Sequence, residues 1–212
     1  MEIRAYDKEY LFYAQKNLGH MMDFAVNTCD FDLDQFMSMF IVSGIAREFG
    51  NGNPTYVVGK TGCEIARLVT EHVGLPEIKE TDIMYVDRSP EYWSGWALAY
   101  YQWKSGKTFS RIIEAVPMHE IIFMYHTLHE ADITTFTAIM DERLAKYYTE
   151  TNLKRFRRLG GYSQRLLSEE SGVPLRQIQL LEQRQRDINK AQAETVFRLA
   201  KVMCCSVEDL LE

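Results

Sequence analysis

The sequence predicts a mainly α-helical protein of two domains, residues 1–149 and 150–212, with at most short strands. Apolar residues in the first domain recur every three to four positions, which is the spacing of one helix face. The second domain contains a close series of helix start and stop signals. The charge balance also changes near residue 150, since the first domain has 13 Lys and Arg against 21 Asp and Glu, and the second has 11 against 9.

The pattern in the first domain predicts helices separated by short turns. The clearest break is the run Gly-Asn-Gly-Asn-Pro at 50–54, because these residues end helices and favour turns. Two apolar runs, 56–58 and 83–86, are short enough to be strands or extended links. The last helix runs nearly into the second domain, which predicts a stiff, largely helical connection. The predicted helices cover about 8–28, 33–49, 62–73, 90–104, 109–116, 118–129 and 133–148.

Two short helices joined by a tight turn are predicted inside the second domain. Ser163 followed by Gln164 is a typical helix start, because the Ser oxygen can accept from the free N–H groups of the first turn. Gly172 supplies the positive φ that a tight turn needs. Pro174 fits the first turn of the next helix, where a missing N–H costs little. That helix is expected to continue through Glu182.

These signals belong to a longer series of landmarks, which are Leu153, Arg157, Ser163-Gln164, Leu167, Ser168, Gly172-Val173, Ile178, Leu181-Glu182, Leu199-Ala200, Val207 and Leu210-Leu211. The pattern resembles the lambda-repressor-like helix-turn-helix family of Cro and xenobiotic-response-element type regulators. The resemblance implies a five-helix DNA-binding domain in residues 150–212, with the helix after Gly172 as the DNA-reading helix. Two departures concern the following loop: Arg184 stands where the family often has Gly, and 185–192 is about three residues longer than in the shortest members.

The DNA-reading helix divides into a buried and an exposed face. Ile178 and Leu181 lie three residues apart and are expected to face inward. Arg can bond guanine O6 and N7 together, and Gln can do the same with adenine, as direct reading of the major groove requires. A leucine can pack on a thymine methyl. The alternative is an ordinary solvated helix face. The predicted base-contacting residues are Leu175, Arg176, Gln177, Gln179 and Leu180.

Phosphate contacts are expected beside the DNA-reading helix. The family resemblance implies such a contact for Gln164, at a helix start with Ser163, and helix N-termini favour phosphate through their free N–H groups. Three basic residues, Arg184, Arg186 and Lys190, follow the DNA-reading helix and can flank the groove. The alternative for Arg186 is a surface ion pair with Asp187.

All three tryptophans of the chain lie between residues 93 and 103. On a helix, Trp93, Trp96, Tyr100 and Trp103 share one face. The first interpretation of this aromatic stripe is a core contact, and the alternative is a surface for a protein partner or ligand, since Trp and Tyr dominate interface energetics. Gly95 within the same helix allows another element to approach closely.

No catalytic set, metal or cofactor is expected. Gly59-Lys60-Thr61 resembles the end of a phosphate-binding loop but lacks the preceding Gly and strand that the motif requires. His126 and His129 are three apart, yet no Cys accompanies them and the zinc-protease pattern is absent. No Ser/His/Asp, Cys/His or paired-carboxylate arrangement can be assembled from spacing. The sequence therefore predicts a protein that is not an enzyme.

Cellular location is predicted from what the chain lacks. It has no apolar run long enough to span a membrane and no basic-then-apolar signal at its start. Its four cysteines have no paired C-x-x-C spacing, so reduced thiols in a cytoplasmic protein are expected. Cys204-Cys205 is expected at the turn between the last two helices.

Together these observations predict a cytoplasmic, bacterial or phage-encoded DNA-binding transcriptional regulator. A repressor acting as a homodimer on an inverted-repeat operator in double-stranded DNA is expected, because one DNA-reading helix covers few base pairs. The acidic first domain leaves two versions open. In one it binds a basic protein, such as the toxin of a toxin-antitoxin operon that this protein represses as antitoxin. In the other it encloses a small molecule or metal as a sensor, and an enzyme fused to a DNA-binding domain is the weakest version.

Overall fold

The computed structural model describes residues 4–81 and 88–212. It is mainly helical, and no strand occurs in these two ranges. The chain divides into two compact units, Met1–Tyr147 and Tyr148–Glu212. The candidate strand at 83–86 lies outside the described residues. The other candidate, 56–58, is not a strand, because Asn53 caps a short helix that begins at Pro54 and ends at Val57.

Side chains just ahead of the helices determine where several helices of the first unit begin. Thr61, Ser89 and Thr108 each accept a hydrogen bond from a backbone N–H in the following first turn, which satisfies a donor that the helix leaves free. The helices are α1 (Leu11–Asp23), α2 (Leu33–Val42), α3 (Ile45–Gly50), α4 (Pro54–Val57), α5 (Gly62–His72), α6 (Pro90–Ser105), α7 (Phe109–Ala115), α8 (Met118–Phe123), α9 (Tyr125–Leu128) and α10 (Ile133–Tyr147).

Three predicted helices are interrupted in the structure. The helix expected at 33–49 breaks at Gly44, whose φ of +79° is incompatible with a continuous right-handed helix. The one expected at 118–129 divides at Met124 into α8 and α9. The first helix has a 3-10 turn before α1 and a π-helical turn, Phe24–Thr28, after it. The other predicted bounds in the first unit agree within one residue.

The core of the first unit is organised around the contact between α1 and α6. The two helices run antiparallel, because Asp23 near the end of α1 accepts a hydrogen bond from Ser89 just before α6. Gly95 lies against the α1 backbone, where a Cβ atom on it would be 2.5 Å from the Leu18 carbonyl oxygen. The sequence-based expectation that Gly95 permits close approach is therefore confirmed, and α1 is the element that approaches.

A second glycine brings α5 equally close to α1. A Cβ on Gly62 would lie 2.5 Å from the backbone nitrogen of Met21. On the same side, the buried Asn17 amide donates to the carbonyl oxygens of Val57 at 2.8 Å and Lys60 at 2.9 Å. Helix α1 thus has two close glycine contacts, and its Asn17 side chain is hydrogen-bonded to the end of α4 and to the loop before α5.

The aromatic stripe belongs mainly to this core. Trp93 is buried and lies edge-on to the rings of Tyr125 and Phe136. Trp103 is buried and donates from its indole N–H to the Tyr6 carbonyl oxygen at 2.9 Å. The partner-binding interpretation is therefore wrong for these two residues, because their rings are enclosed by the unit itself. Trp96 and Tyr100 are half-buried.

Replacement of Gly95 by Ala should destabilise the first unit. Helix propensity alone favours Ala over Gly by up to about 1 kcal/mol. The added methyl would collide with the α1 backbone, however, and overpacking of this kind costs about 1–3 kcal/mol. All three tryptophans lie on α6, so tryptophan fluorescence during urea unfolding follows this unit. Glu142→Ala, at an exposed position of α10, is the control, and a higher unfolding midpoint for Gly95→Ala would contradict the prediction.

The second unit contains five α-helices and a short 3-10 turn. The predicted helical connection between α10 and the second unit is wrong. Helix α10 ends at Tyr147, and the Thr151 side chain caps the next helix. Side chains from all five helices form one core that includes most of the landmark leucines. The helices are α11 (Asn152–Leu159), α12 (Gln164–Ser171), α13 (Leu175–Glu182), α14 (Ala193–Val202) and α15 (Val207–Leu210), with the 3-10 turn at Ile188–Lys190.

Candidate nucleic-acid interface

The turn between α12 and α13 is fixed by local hydrogen bonds. Ser163 caps α12 by accepting from the Leu166 N–H at 3.0 Å, and Gly172 ends it with a φ of +68°. The Ser168 hydroxyl donates to the Val173 carbonyl oxygen at 2.7 Å. Pro174 occupies the cap position, one residue before the first helical residue of α13. The two helices thus begin and end within a residue of the predicted positions.

Helix α13 has one buried side and one polar side. Ile178 and Leu181 are buried in the core of the unit, as the spacing predicts. The five residues predicted to contact bases lie elsewhere on the helix: Leu175 and Arg176 are exposed, and Gln177, Gln179 and Leu180 are half-buried. The polar side therefore presents one guanidinium and two amide groups.

A buried ion pair connects α11 to the end of α13. The Arg157 guanidinium on α11 donates to both carboxylate oxygens of Glu182 at the end of α13, at 2.5 and 3.0 Å. It also donates to the Tyr162 carbonyl oxygen at 2.8 Å. The Glu182 side chain is 2% exposed and that of Arg157 is 11% exposed. Because charged groups are costly to bury alone, each stabilises the charge of the other, and the bond to Glu182 raises the pKa of Arg157.

Gln164 completes the network. Its side-chain amide donates to Glu182 at 2.7 Å, so helices α11, α12 and α13 all contribute to one cluster. This internal bond uses one of the two N–H groups of the Gln164 amide, so one N–H donor is left for the predicted phosphate contact. Sequence reasoning identified Arg157, Gln164 and Glu182 as landmarks but did not pair them, because they are separated by up to 25 residues.

The basic residues after α13 differ in their surroundings. The guanidinium of Arg184 is bonded within the unit, to the Tyr148 and Thr149 carbonyl oxygens among others. Lys190 is exposed and lies 3.3 Å from the Asp187 carboxylate. That carboxylate thus pairs with Lys190, whereas the sequence suggested a pair with Arg186. Arg186 is exposed, and its backbone N–H donates to the Leu180 carbonyl oxygen on α13.

The loop after α13 contains a residue with a left-handed backbone conformation. Arg184 has a φ of +54°, in the left-handed region where Gly is the least strained residue. A non-glycine residue in that conformation costs about 1–2 kcal/mol, so other contacts of Arg184 have to offset the strain.

The motifs weighed in the first unit have structural roles. Thr61, from the Gly59-Lys60-Thr61 run, forms a capping box with Glu64 at the start of α5, and the bond from the Thr61 N–H lowers the pKa of Glu64. His129 stacks on the Tyr125 ring at 4.5 Å, and His126 lies edge-on to Phe123.

In the second unit, Cys204 and Cys205 follow α14 at the predicted turn, and Cys204 has a φ of +53°.

Comparison with known proteins returned no match among family models, curated proteins or solved structures. None of the helices in 4–81 and 88–212 combines the length and apolarity that crossing a bilayer requires.

Removal of the Glu182 carboxylate should destabilise the second unit strongly. Glu182→Ala leaves Arg157 without its partner, and the loss of one member of a buried pair costs about 3 kcal/mol or more. The matched control is Glu169→Ala, which removes the partner of the exposed Arg165 on α12 and should change stability by about 0.5 kcal/mol or less. Native-state hydrogen exchange of the α12 to α14 amides measures both, and equal effects of the two substitutions would argue against the network.

Proposed function

We propose that this protein is a sequence-specific DNA-binding transcriptional regulator in which α12 and α13 act as a helix-turn-helix. The observation that carries the proposal is the polar side of α13. Arg176, Gln177 and Gln179 are accessible there, while Ile178 and Leu181 anchor the helix to the core. Arg and Gln are the side chains whose paired hydrogen bonds distinguish guanine and adenine in the major groove.

The charge distribution also supports this proposal. Residues 150–212 have 11 Lys and Arg against 9 Asp and Glu, and the Glu182 carboxylate is neutralised inside the unit by Arg157. Arg176 and Arg186, by contrast, are exposed near α13. Glu169 and Glu170 are exposed near the end of α12, so that part of α12 is proposed to lie away from phosphate. Electrostatic attraction would then come from a local patch, and binding should weaken steeply with salt.

Substitution of the polar residues on α13 should lower specific affinity. Arg176→Ala or Gln177→Ala should each cost about 1–3 kcal/mol on the preferred sequence and leave weak non-specific binding nearly unchanged. The preferred sequence is obtained by selecting bound duplexes from a randomised pool with the full chain. Lys201→Ala, at an exposed position of α14, is the control. If the selection yields no preferred sequence, or both variants keep the original preference, the proposed role of α13 is wrong.

The bound DNA should have two-fold symmetry. One DNA-reading helix covers only a few base pairs, so two copies of the chain are expected to bind inverted half-sites about 10 base pairs, or a multiple of this, apart. Light scattering of the protein–DNA complex should give two chains per duplex, and footprinting should give two equivalent protected segments. A complex with one chain and a single unrepeated footprint would contradict this expectation.

For the first unit, the proposal is a surface that responds to a partner. The acidic balance of residues 1–149, 13 basic against 21 acidic residues, favours a basic protein such as a cognate toxin, because complementary charge directs association. The aromatic stripe does not support a protein-binding surface, since Trp93 and Trp103 are buried. The antitoxin role therefore rests on charge alone, and a small-molecule or metal sensor remains the alternative.

A further inference from the structure

Arg184 makes a set of hydrogen bonds to backbone carbonyl oxygens of the second unit. Its guanidinium donates to the carbonyl oxygens of Thr149 at 3.1 Å, Tyr148 at 3.0 Å and Glu150 at 3.4 Å. These three residues lie between the end of α10 and the start of α11. Arg184 itself lies two residues after α13. One side chain thus connects the loop after the proposed DNA-reading helix to the segment through which the chain enters the second unit.

Glu212 reinforces the same connection from the other end of the unit. Its carboxylate accepts from the Arg184 guanidinium at 3.2 Å and from the Asn152 backbone N–H, in the first turn of α11, at 2.6 Å. Its backbone exchanges two hydrogen bonds with the Asn189 side chain, at 3.0 and 3.2 Å. Asn189 belongs to the 3-10 turn that follows Arg184. The loop is therefore attached at two points, Arg184 and Asn189.

An arginine fits this set of acceptors better than a lysine does. Its planar guanidinium presents several N–H groups in a fixed fork, whereas the Lys ammonium is a compact, strongly hydrated charge. The three carbonyls and the carboxylate spread over four residues, so a single ammonium cannot satisfy them together. The gain from these bonds also offers a reason why a non-glycine residue is kept at a φ of +54°, where it is strained.

We propose that Arg184 is a positioning residue that clasps segment 148–150, so that the conformation of this segment controls the loop beside the DNA-reading helix. The inference rests on the proposed function, because it assigns a regulatory contact to that same interface. Segment 148–150 is the covalent link to the first unit, so a partner that displaces it would release Arg184 and loosen the loop from 183 to 190. Arg184 then acts through the position of α13 and its loop, because both terminal nitrogens of its guanidinium donate to groups inside the unit.

The first test is cleavage of the full-length protein by a glutamate-specific protease at Glu150. The rate of this cut reports how often segment 148–150 opens. Arg184→Lys, which keeps the strained backbone, should raise the rate about tenfold, which corresponds to 1.4 kcal/mol. Arg184→Gly also relieves the strain, so it should raise the rate less than Arg184→Lys does. Arg186→Gly, which removes the same charge from the same loop, should leave the rate unchanged. If Arg184→Lys is cut at or below the wild-type rate, the guanidinium contacts do not hold segment 148–150, and the clasp is wrong.

The second test separates the clasp from a direct phosphate contact. On the selected duplex, Arg184→Lys should bind about fivefold more weakly than wild type, at the low end of ordinary coupling, with an unchanged slope of log affinity against log salt. Arg184→Gly should show the same loss and the same slope. If the Lys variant binds like wild type, and the Gly variant loses about 0.9 in slope, as one lost phosphate contact predicts, Arg184 contacts DNA and the proposal fails.

The two tests also separate this inference from the function on which it rests. If the wild-type protein selects no DNA sequence, the proposed function fails, while the cleavage series still decides whether Arg184 holds segment 148–150. If the protein binds DNA specifically and the two Arg184 variants are cleaved like wild type, the function stands and the clasp is overturned.

Discussion

The ion pair between Arg157 and Glu182 is the interaction on which the arrangement of the second unit depends. It joins the first helix of the unit, α11, to the end of α13, and the amide of Gln164 at the start of α12 donates to the same carboxylate. Apolar contacts around Ile178 and Leu181 hold α13 against the core, but such contacts are non-directional. The bidentate pair of hydrogen bonds from the planar Arg157 guanidinium to the Glu182 carboxylate has a defined geometry, so it fixes the position of the end of α13.

The network also determines which polar groups remain available for a partner. Arg157 and Gln164 both donate to Glu182 inside the unit, while Arg184 donates to backbone carbonyls and to Glu212. The polar side of α13 is left with Arg176, Gln177 and Gln179. A count of basic residues alone would overstate the surface that can meet a phosphate backbone, because internal bonds occupy part of that charge. The proposed interface is consequently narrow and centred on one helix.

The two units reach their compactness by different physical means. In the first, Gly62 and Gly95 let α5 and α6 approach the backbone of α1 more closely than any residue with a Cβ allows. Large aromatic rings, including those of Trp93 and Phe136, pack against one another in the same unit. In the second, short helices share one aliphatic core, and polar bonds set their directions. Added volume at the glycine contacts should matter most in the first unit, and loss of a charged partner in the second.

The sequence alone determined where most helices begin and end, because those signals are local. Ser163 caps α12, Gly172 ends it, and Ser89 caps α6, each through contacts within a few residues. The tertiary structure decided the rest. It interrupted the helix expected at 33–49, paired Arg157 with Glu182, buried Trp93 and Trp103, and directed Arg184 to segment 148–150. The last three outcomes depend on residues far apart in sequence, and periodicity within one helix contains no information about which distant group its side chains will meet.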